Sequence, residues 1–151
     1  MPDKEEIPDE DIINRSIYLP QHPNFDAVSS FVFDSSERSE SVIWRKYART
    51  MFEVHAIGCA IQARMNLSRI RNGKSADRRY RGAIEGIVAR VRQIRSQRSH
   101  GLVVEHEPHE GEAHAEIAIR TAQGAKLKPN DVQEIREHLG RVFSPMVPHA
   151  C

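Results

Sequence analysis

Hydrophobic positions near the start of the chain predict short strands. Ile12 to Leu19 mixes β-branched and aromatic side chains and stops at Pro20, as expected of a strand. The compact apolar run from Ser30 to Phe33 predicts a second strand. Ser41 to Tyr47 fits either a strand or the first turn of a helix, since so short an apolar run has no period that separates the two.

The middle of the chain has helical periodicity. From Thr50 to the Asn72-Gly73 pair, apolar side chains cluster on two opposite sides of a helix, a pattern typical of a central, buried helix. Thr50 or Ser41 is the candidate N-cap, and we identify no full capping box. Apolar residues from about Ala76 to Gln97 recur at i, i+3, i+4 and i+7, which predicts a second helix.

The second predicted helix has a stripe suited to a partner surface. Gly82 and Gly86 lie within it, and glycines four residues apart let another backbone approach closely, although each costs about 1 kcal/mol relative to Ala. Together with the two-sided first helix, this stripe makes a homodimer interface a candidate. Its apolar members are Tyr80, Ile84, Ile87, Val88, Val91 and Ile94.

The last third of the chain predicts a hairpin followed by a helix. Leu102 to Glu105 has the composition of a strand, Glu107 to Gly111 has turn chemistry, and Ala113 to Arg120 alternates apolar and polar positions. A final helix begins near Pro129 and has one apolar stripe, formed by Val132, Ile135, Leu139 and Val142.

These elements predict a single α+β domain over residues 12–143, with short N-terminal strands, two central helices, a C-terminal hairpin and a final amphipathic helix. Residues 1–11 are acidic and contain two prolines, so we expect a disordered tail. We expect residues 144–151 to form a loose C-terminal tail.

Composition narrows the class of protein. A chain of 151 residues fits one domain, and it has no run of 18 apolar residues, so we expect no membrane span. The only two cysteines, Cys59 and Cys151, are too few for a disulfide framework, which favours a reduced, cytoplasmic protein. His55 and Cys59 are one helical turn apart and could hold a metal or activate a thiolate, but we expect them to pack in the core.

Charge is segregated along the chain. Lys and Arg number 22 against 21 Asp and Glu, which excludes a uniformly basic or acidic binder. From Arg64 to Arg98, however, eleven cations face only Asp77 and Glu85, a local excess of eleven minus two, or nine. Such an excess predicts a surface for an anionic partner, either nucleic acid or an acidic protein. The candidate contacts are Arg78, Arg79, Arg81, Arg90 and Arg92.

A second interpretation of this segment is structural. Long Arg stems can cover the flanks of a helix while their charged heads pair with acids elsewhere in the chain. Tyr80 is the only aromatic residue in the segment, so stacking of bases on aromatic side chains is not supported.

The turn of the hairpin carries the other candidate chemistry. Residues 105–116 read EHEPHEGEAHAE, and imidazoles with carboxylates form the ligand set of zinc, iron and manganese. His106, His109 and His114 are therefore candidate metal ligands. His114 and Glu116 share one strand face and are the candidate catalytic pair, because imidazole suits proton transfer near neutral pH. The string lacks an HExxH motif, and the sequence identifies no cofactor. The interpretation that we favour for this string is a surface hairpin that pairs with the Arg-rich helix.

Four segments, NRSIYLP, VSSFVF, ESVIW and EHEPHEGEAHAEI, carry a family resemblance. They resemble an uncharacterised group of small bacterial proteins with an Arg strand, a Ser-Ser-x-x-Phe stretch, a Ser-Val step and a Pro…Ala-His-Ala segment. This chain departs from that pattern by its long Arg-rich insertion. The resemblance implies no activity, and it directs attention to Arg15 and His114. The matching positions are Arg15, Ser29, Ser30, Phe33, Ser41, Val42, Pro108, Ala113, His114 and Ala115.

Two functions follow as hypotheses. The first is a small intracellular binding or accessory module that contacts an anionic partner through an Arg-rich helical segment. The second is a small enzyme with a His/Glu site on the 105–116 hairpin, dependent on a metal or acting on a phosphorylated or nucleotide substrate. A cleft shared by the Arg-rich segment and His114 would join the two hypotheses.

Overall fold

A computed structural model describes residues 3–33 and 38–151. Within these ranges, six strands are β1 (Ile12–Leu19), β2 (Ser39–Trp44), β3 (Arg79–Ile87), β4 (Gly101–His106), β5 (His114–Arg120) and β6 (Val147–Pro148). The helices are α1 (Ala27–Ser30), α2 (Met51–Arg71), α3 (Val88–Arg92) and α4 (Pro129–Val142), with a 3-10 turn at Pro108–Glu110. The predicted α+β class is confirmed.

One antiparallel sheet organises these elements, in the strand order β4-β5-β2-β1-β3-β6. The predicted hairpin is confirmed, since β4 pairs with β5 from Gly101↔Arg120 to His106↔Ala115. β1 lies between β2 and β3, and its recorded pairing with β2 is limited to Ile13↔Trp44 and Asn14↔Ile43.

The two faces of the sheet differ in their cover. One face packs against α1, α3 and α4 and forms the main core, whose largest buried members include Ile13, Ile17, Phe31, Trp44, Ile84, Ile117, Ile135 and Leu139. The other face is covered by α2 over β1 and β3, where a small cluster contains Ile43, Ala48, Val54, Ala83 and Ala113. Among the described residues, no helix covers the β2–β5–β4 side of this second face.

The predicted second helix over residues 76–97 is wrong. The segment forms strand β3 and only the short helix α3. Apolar residues spaced by four, such as Ile84 and Val88, satisfy the strand period of two as well as the helical period, so the stripe was ambiguous. Its glycines make room within the sheet: a Cβ on Gly82 would lie 2.1 Å from the Val147 carbonyl oxygen, and Gly82 has φ +145°. The homodimer hypothesis relied in part on this helix, which does not form, and it stays a prediction.

The predicted strand at Ser30–Phe33 is also wrong. Asp26 caps the short helix α1 by accepting a hydrogen bond from the Ser29 backbone N–H at 2.9 Å. After the helix, Phe31 and Phe33 turn into the core, where their rings stack. Their apolarity therefore reflects burial and not strand pairing.

Both predicted tails pack against the domain. Ile7 is buried, and Asp11 accepts a hydrogen bond from Trp44 Nε1 at 2.8 Å, so residues 3–11 are not a disordered tail, while Met1 and Pro2 lie outside the described residues. At the other end, β6 pairs with β3 and Cys151 forms a disulfide with Cys59, so the tail is not loose.

The disulfide corrects two expectations about cysteine. Cys59 is half-buried and bonded to Cys151, not a small hydrophobe packed in the core. Neither thiol is free to act as a nucleophile while this bond is present. The expected cytoplasmic location stays a prediction, and among the described residues no helix is long and apolar enough to cross a membrane.

Helix α2 has the predicted bounds but not the predicted burial. Phe52 is 80% exposed and Ile70 is 59% exposed, and no residue of α2 after Gly58 is buried. Contrary to our expectation, a full capping box is present: Thr50 Oγ1 accepts from the Glu53 N–H, and the Glu53 carboxylate accepts from the Thr50 N–H, both at 3.2 Å.

Candidate functional site

Seven cations lie on one continuous part of the fold, which we call the basic arm: residues 64–81, comprising the second half of α2, the turn after it and the start of β3. Asp77 is its only acid, so its formal charge is seven minus one, or +6. The cations are Arg64, Arg69, Arg71, Lys74, Arg78, Arg79 and Arg81.

Hydrogen bonds between the helix and the returning chain hold the basic arm in shape. The Asn66 side chain donates to the Arg78 carbonyl at 3.0 Å and accepts from the Arg78 N–H at 2.9 Å. Gln62 Oε1 accepts from the Tyr80 N–H at 2.6 Å, and Arg69 Nε donates to the Ser75 carbonyl at 2.6 Å. The cations are therefore carried by an ordered helix–turn–strand unit.

Only part of the arm's charge is neutralised within the chain. Asp77 forms ion pairs with Arg69 and Arg78, at 3.1 Å and 3.3 Å. Cations in the last turn of α2 also interact favourably with the negative end of the helix dipole. Within residues 3–33 and 38–151, the remaining five cations have no carboxylate within 4.0 Å: Arg64, Arg71, Lys74, Arg79 and Arg81.

The other two predicted anion contacts do not belong to this arm. Arg92 donates to the Ile7 carbonyl and to Asp9, each at 2.7 Å, and so fastens the N-terminal segment to the domain. Arg90 donates to the Arg141 carbonyl at 3.3 Å. Arg92 therefore fits the structural interpretation of the Arg-rich segment, because its guanidinium pairs with an acid of the N-terminal segment.

The three candidate metal ligands are not brought together. Because His106 pairs with Ala115 across the hairpin, His106 and His114 point to opposite faces of the sheet. His106 is buried, accepts from the Glu5 N–H at 3.0 Å through Nδ1, and donates to the Glu112 carbonyl at 2.8 Å through Nε2. His109 is exposed. Among the described residues, no group of three His, Cys, Asp or Glu side chains could hold a metal ion.

His114 lies on the open face of the sheet with the other candidate catalytic residue. Ser41 pairs with Glu116 across β2 and β5, so His114, Glu116 and Ser41 share that face. His114 Nδ1 is 2.9 Å from the Glu107 carbonyl oxygen, and its Nε2 is 3.1 Å from Ser41 Oγ and 3.3 Å from Glu110 Oε2. No contact of this kind joins Glu116 to His114.

A groove of about 1140 Å³ runs between α2 and this open face. Its α2 wall is apolar except for Arg64, and its other wall is the hairpin turn that carries His114. Arg64 is the one cation of the basic arm that lines this groove, so the basic arm and His114 share a cleft at that residue alone. The lining includes Arg15, Ser16, Tyr18, His22, Glu40, Ser41, Ile57, Ile61, Arg64, Met65, His109, Glu110 and His114.

Arg15 is buried where β1 and β2 separate. Its guanidinium donates to the Ser41 carbonyl at 2.7 Å and to the Ser30 carbonyl at 2.6 Å, and it forms an ion pair with Glu40 at 3.1 Å. Beyond Asn14, where β1 and β2 no longer pair, these bonds connect the two strands and fix the backbone of Ser41. Arg15, which the family resemblance singled out, thus supports the strand that carries Ser41.

Burial shifts the pKa of three groups in or beside the groove. Burial and the nearby Arg15 lower the pKa of His22 to about 4, and burial raises the pKa of Tyr18 to about 12. His55, expected in the core, is buried with its Nδ1 2.7 Å from the Tyr80 hydroxyl, and burial together with His149 lowers its pKa.

Comparisons with family models, with curated proteins and with solved structures found no match. The resemblance to a bacterial family stays a prediction. The contact between Ser41 and His114 was not predictable from sequence, since Ser41 lies 73 positions away and its segment fitted strand or helix.

Proposed function

We propose that the protein binds the phosphate backbone of nucleic acid through the basic arm. The observation that carries this proposal is the group of five arm cations without a carboxylate partner among the described residues, on an ordered unit that contains one acid. Backbone contacts by Lys and Arg supply most of the affinity of sequence-independent nucleic-acid binding.

Of the two anionic partners, we propose nucleic acid, because its evenly spaced phosphates can engage several arm cations at once. Six of the seven cations are Arg, whose planar guanidinium forms two parallel hydrogen bonds with a phosphate or a carboxylate. They lie in the second half of α2, in the turn after it and at the start of β3, where five of the seven have no carboxylate partner among the described residues. The arm has no exposed aromatic side chain, so we expect contacts to phosphates and no stacking on bases.

Fluorescence anisotropy with a labelled 20-base-pair DNA duplex and the same strand alone tests the proposal. The arm variant is Arg71→Gln, Lys74→Gln and Arg79→Gln, and the control variant is Arg120→Gln, Lys126→Gln and Lys128→Gln, which removes the same charge elsewhere. We expect the arm variant to bind at least tenfold more weakly at about 50 mM salt and the control to bind nearly as the wild type does.

Two results would overturn the proposal. Equal weakening by both variants would indicate attraction by overall charge only. Binding of poly-glutamate without binding of either DNA would assign the arm to an acidic protein instead.

A further inference from the structure

We propose that Ser41 and His114 form a nucleophile–base pair that hydrolyses carboxylic esters with a short aliphatic acyl chain. This activity does not require nucleic-acid binding, because neither Ser41 nor His114 belongs to the basic arm. The site consists of an exposed serine beside an oriented histidine, in a groove with an apolar wall and a buried, unpartnered hydroxyl.

The hairpin turn orients His114. Glu107 donates its N–H to the His114 carbonyl at 2.9 Å, and its own carbonyl lies 2.9 Å from His114 Nδ1. A carbonyl oxygen can only accept, so Nδ1 carries the proton. Neutral His114 therefore presents the lone pair of Nε2, at 3.1 Å, to the hydroxyl of Ser41.

Glu110, the second group close to His114 Nε2, suits the protonated state of the imidazole. Glu110 Oε2 lies 3.3 Å from Nε2 and can accept a hydrogen bond only when that nitrogen is protonated. Ser41 thus pairs with the neutral imidazole and Glu110 stabilises the imidazolium that forms when His114 takes the serine proton. One histidine has a partner for each of the two states that general base catalysis requires.

The fold also leaves a hydrogen-bond donor unused in the wall of the same groove. Ser16 is 9% exposed, lines the groove on the same face of β1, and its Oγ has no hydrogen-bond partner. A buried hydroxyl without a partner carries a free-energy cost, which a ligand oxygen in the groove would relieve. We assign this hydroxyl to the oxygen of the ester carbonyl, where negative charge develops.

The α2 wall indicates the substrate class. Ile57, Ile61 and Met65 face the groove across from the hairpin, and they suit a short aliphatic acyl chain. Charges around the groove have both signs, with Arg15 and Arg64 against Glu40, Glu110 and Glu112, so they do not favour an anionic substrate.

The reaction has two balanced steps. Ser41 Oγ bonds to the carbonyl carbon while its proton moves to His114 Nε2, and the bond from carbon to the leaving oxygen breaks as that oxygen takes the proton, releasing an alcohol. Water then attacks the acyl carbon and gives a proton to Nε2. The carbon–Oγ bond breaks, Ser41 regains the proton, and the carboxylic acid leaves. No other reactant is needed.

The test uses the full chain with its disulfide and two probes, a fluorophosphonate and 4-nitrophenyl butyrate. The variants are Ser41→Ala and His114→Gln, with Ser68→Ala on α2 and His138→Gln on α4 as matched controls outside the groove. Thermal melts establish that each variant is folded. We expect one probe adduct on Ser41 of the wild type, and a loss of hydrolysis of about 100-fold or more in both site variants.

The controls should hydrolyse the ester as the wild type does. Ser16→Ala should lower kcat by about tenfold or more while the protein is still labelled at Ser41. The proposal is overturned if folded wild type acquires no adduct on Ser41, or if Ser41→Ala hydrolyses the ester at the wild-type rate. None of these variants changes a cation of the basic arm, so DNA binding should be the same in all of them. A negative esterase result is therefore distinguishable from a negative result for DNA binding.

Discussion

Gly58 of α2 lies directly against the ring of Tyr80 on β3. A Cβ added to Gly58 would come within 2.3 Å of Tyr80 Cε1. The hydroxyl of the same Tyr80 ring is 2.7 Å from Nδ1 of His55, which lies one turn before Gly58 in α2. This close approach fixes the helix to the sheet at the base of the basic arm, where the last buried residue of α2 is Gly58 itself.

Replacing Gly58 by Ala should destabilise the protein. Alanine favours a helix over glycine by about 1 kcal/mol, but forcing a side chain into a packed contact costs about 1–3 kcal/mol. Because Tyr80 is buried and hydrogen-bonded and has little room to move, we expect the free energy of unfolding in urea to fall by about 1–2 kcal/mol. The matched substitution Ser68→Ala, exposed on the same helix, should change it little. A more stable Gly58→Ala variant would show that the contact is loose.

The Cys59–Cys151 disulfide closes a separation of 92 residues and ties the C-terminal segment, whose strand β6 pairs with β3, to helix α2. Cys151→Ser should lower the free energy of unfolding by about 2–4 kcal/mol, since the bond restricts the unfolded chain. The His149 N–H, which donates to the Arg81 carbonyl at 2.9 Å, should exchange with solvent faster in hydrogen-exchange measurements. Unchanged exchange of that amide would mean that β6 pairing alone holds the segment.

Buried His22 should make stability depend on pH. Its Nδ1 accepts from the Tyr18 N–H at 3.0 Å, which requires an unprotonated Nδ1, and its pKa is lowered to about 4 from the usual 6.5. As pH falls from about 6.5 to about 4, the unfolded chain takes up the proton first, so the free energy of unfolding falls, by up to about 3 kcal/mol for this group. Below about pH 4 the contribution is constant.

The substitution His22→Asn isolates that contribution, because the lowered pKa of His55 acts in the same direction. Asn retains an acceptor for the Tyr18 N–H and does not titrate in this range. Urea titrations from pH 7.5 to 4.5 should give a smaller loss of stability for the variant than for the wild type. Parallel curves for the two proteins would contradict the assignment.

The sequence predicted secondary structure best in segments whose apolar residues follow a single period, either that of a strand or that of a helix. The alternation of β5, the stripe of α4 and the bounds of α2 were all predictable, since each pattern fits a single element. β3 was not, because its apolar residues at intervals of four fit two periods, and its glycines serve contacts with β6 and Phe143 that lie far along the chain.

The candidate sites were predictable only in part. The sequence located His114 and the Arg-rich segment, but it could not separate Arg79, on the exposed arm, from Arg92, which binds Asp9 across 83 positions. The approach of Ser41 to His114 depends on strand register between β2 and β5, and that register is decided by tertiary packing.

The salt dependence of DNA binding tests the central proposal most directly. Each phosphate contact releases counterions, so the logarithm of the association constant for duplex DNA falls against the logarithm of salt concentration with a slope of about −0.9 per contact. With all five arm cations engaged, the wild type should show a slope of about −4.5, and the variant lacking Arg71, Lys74 and Arg79 a slope of about −2. The same slope in both proteins, or a slope near zero in the wild type, would contradict binding through the basic arm.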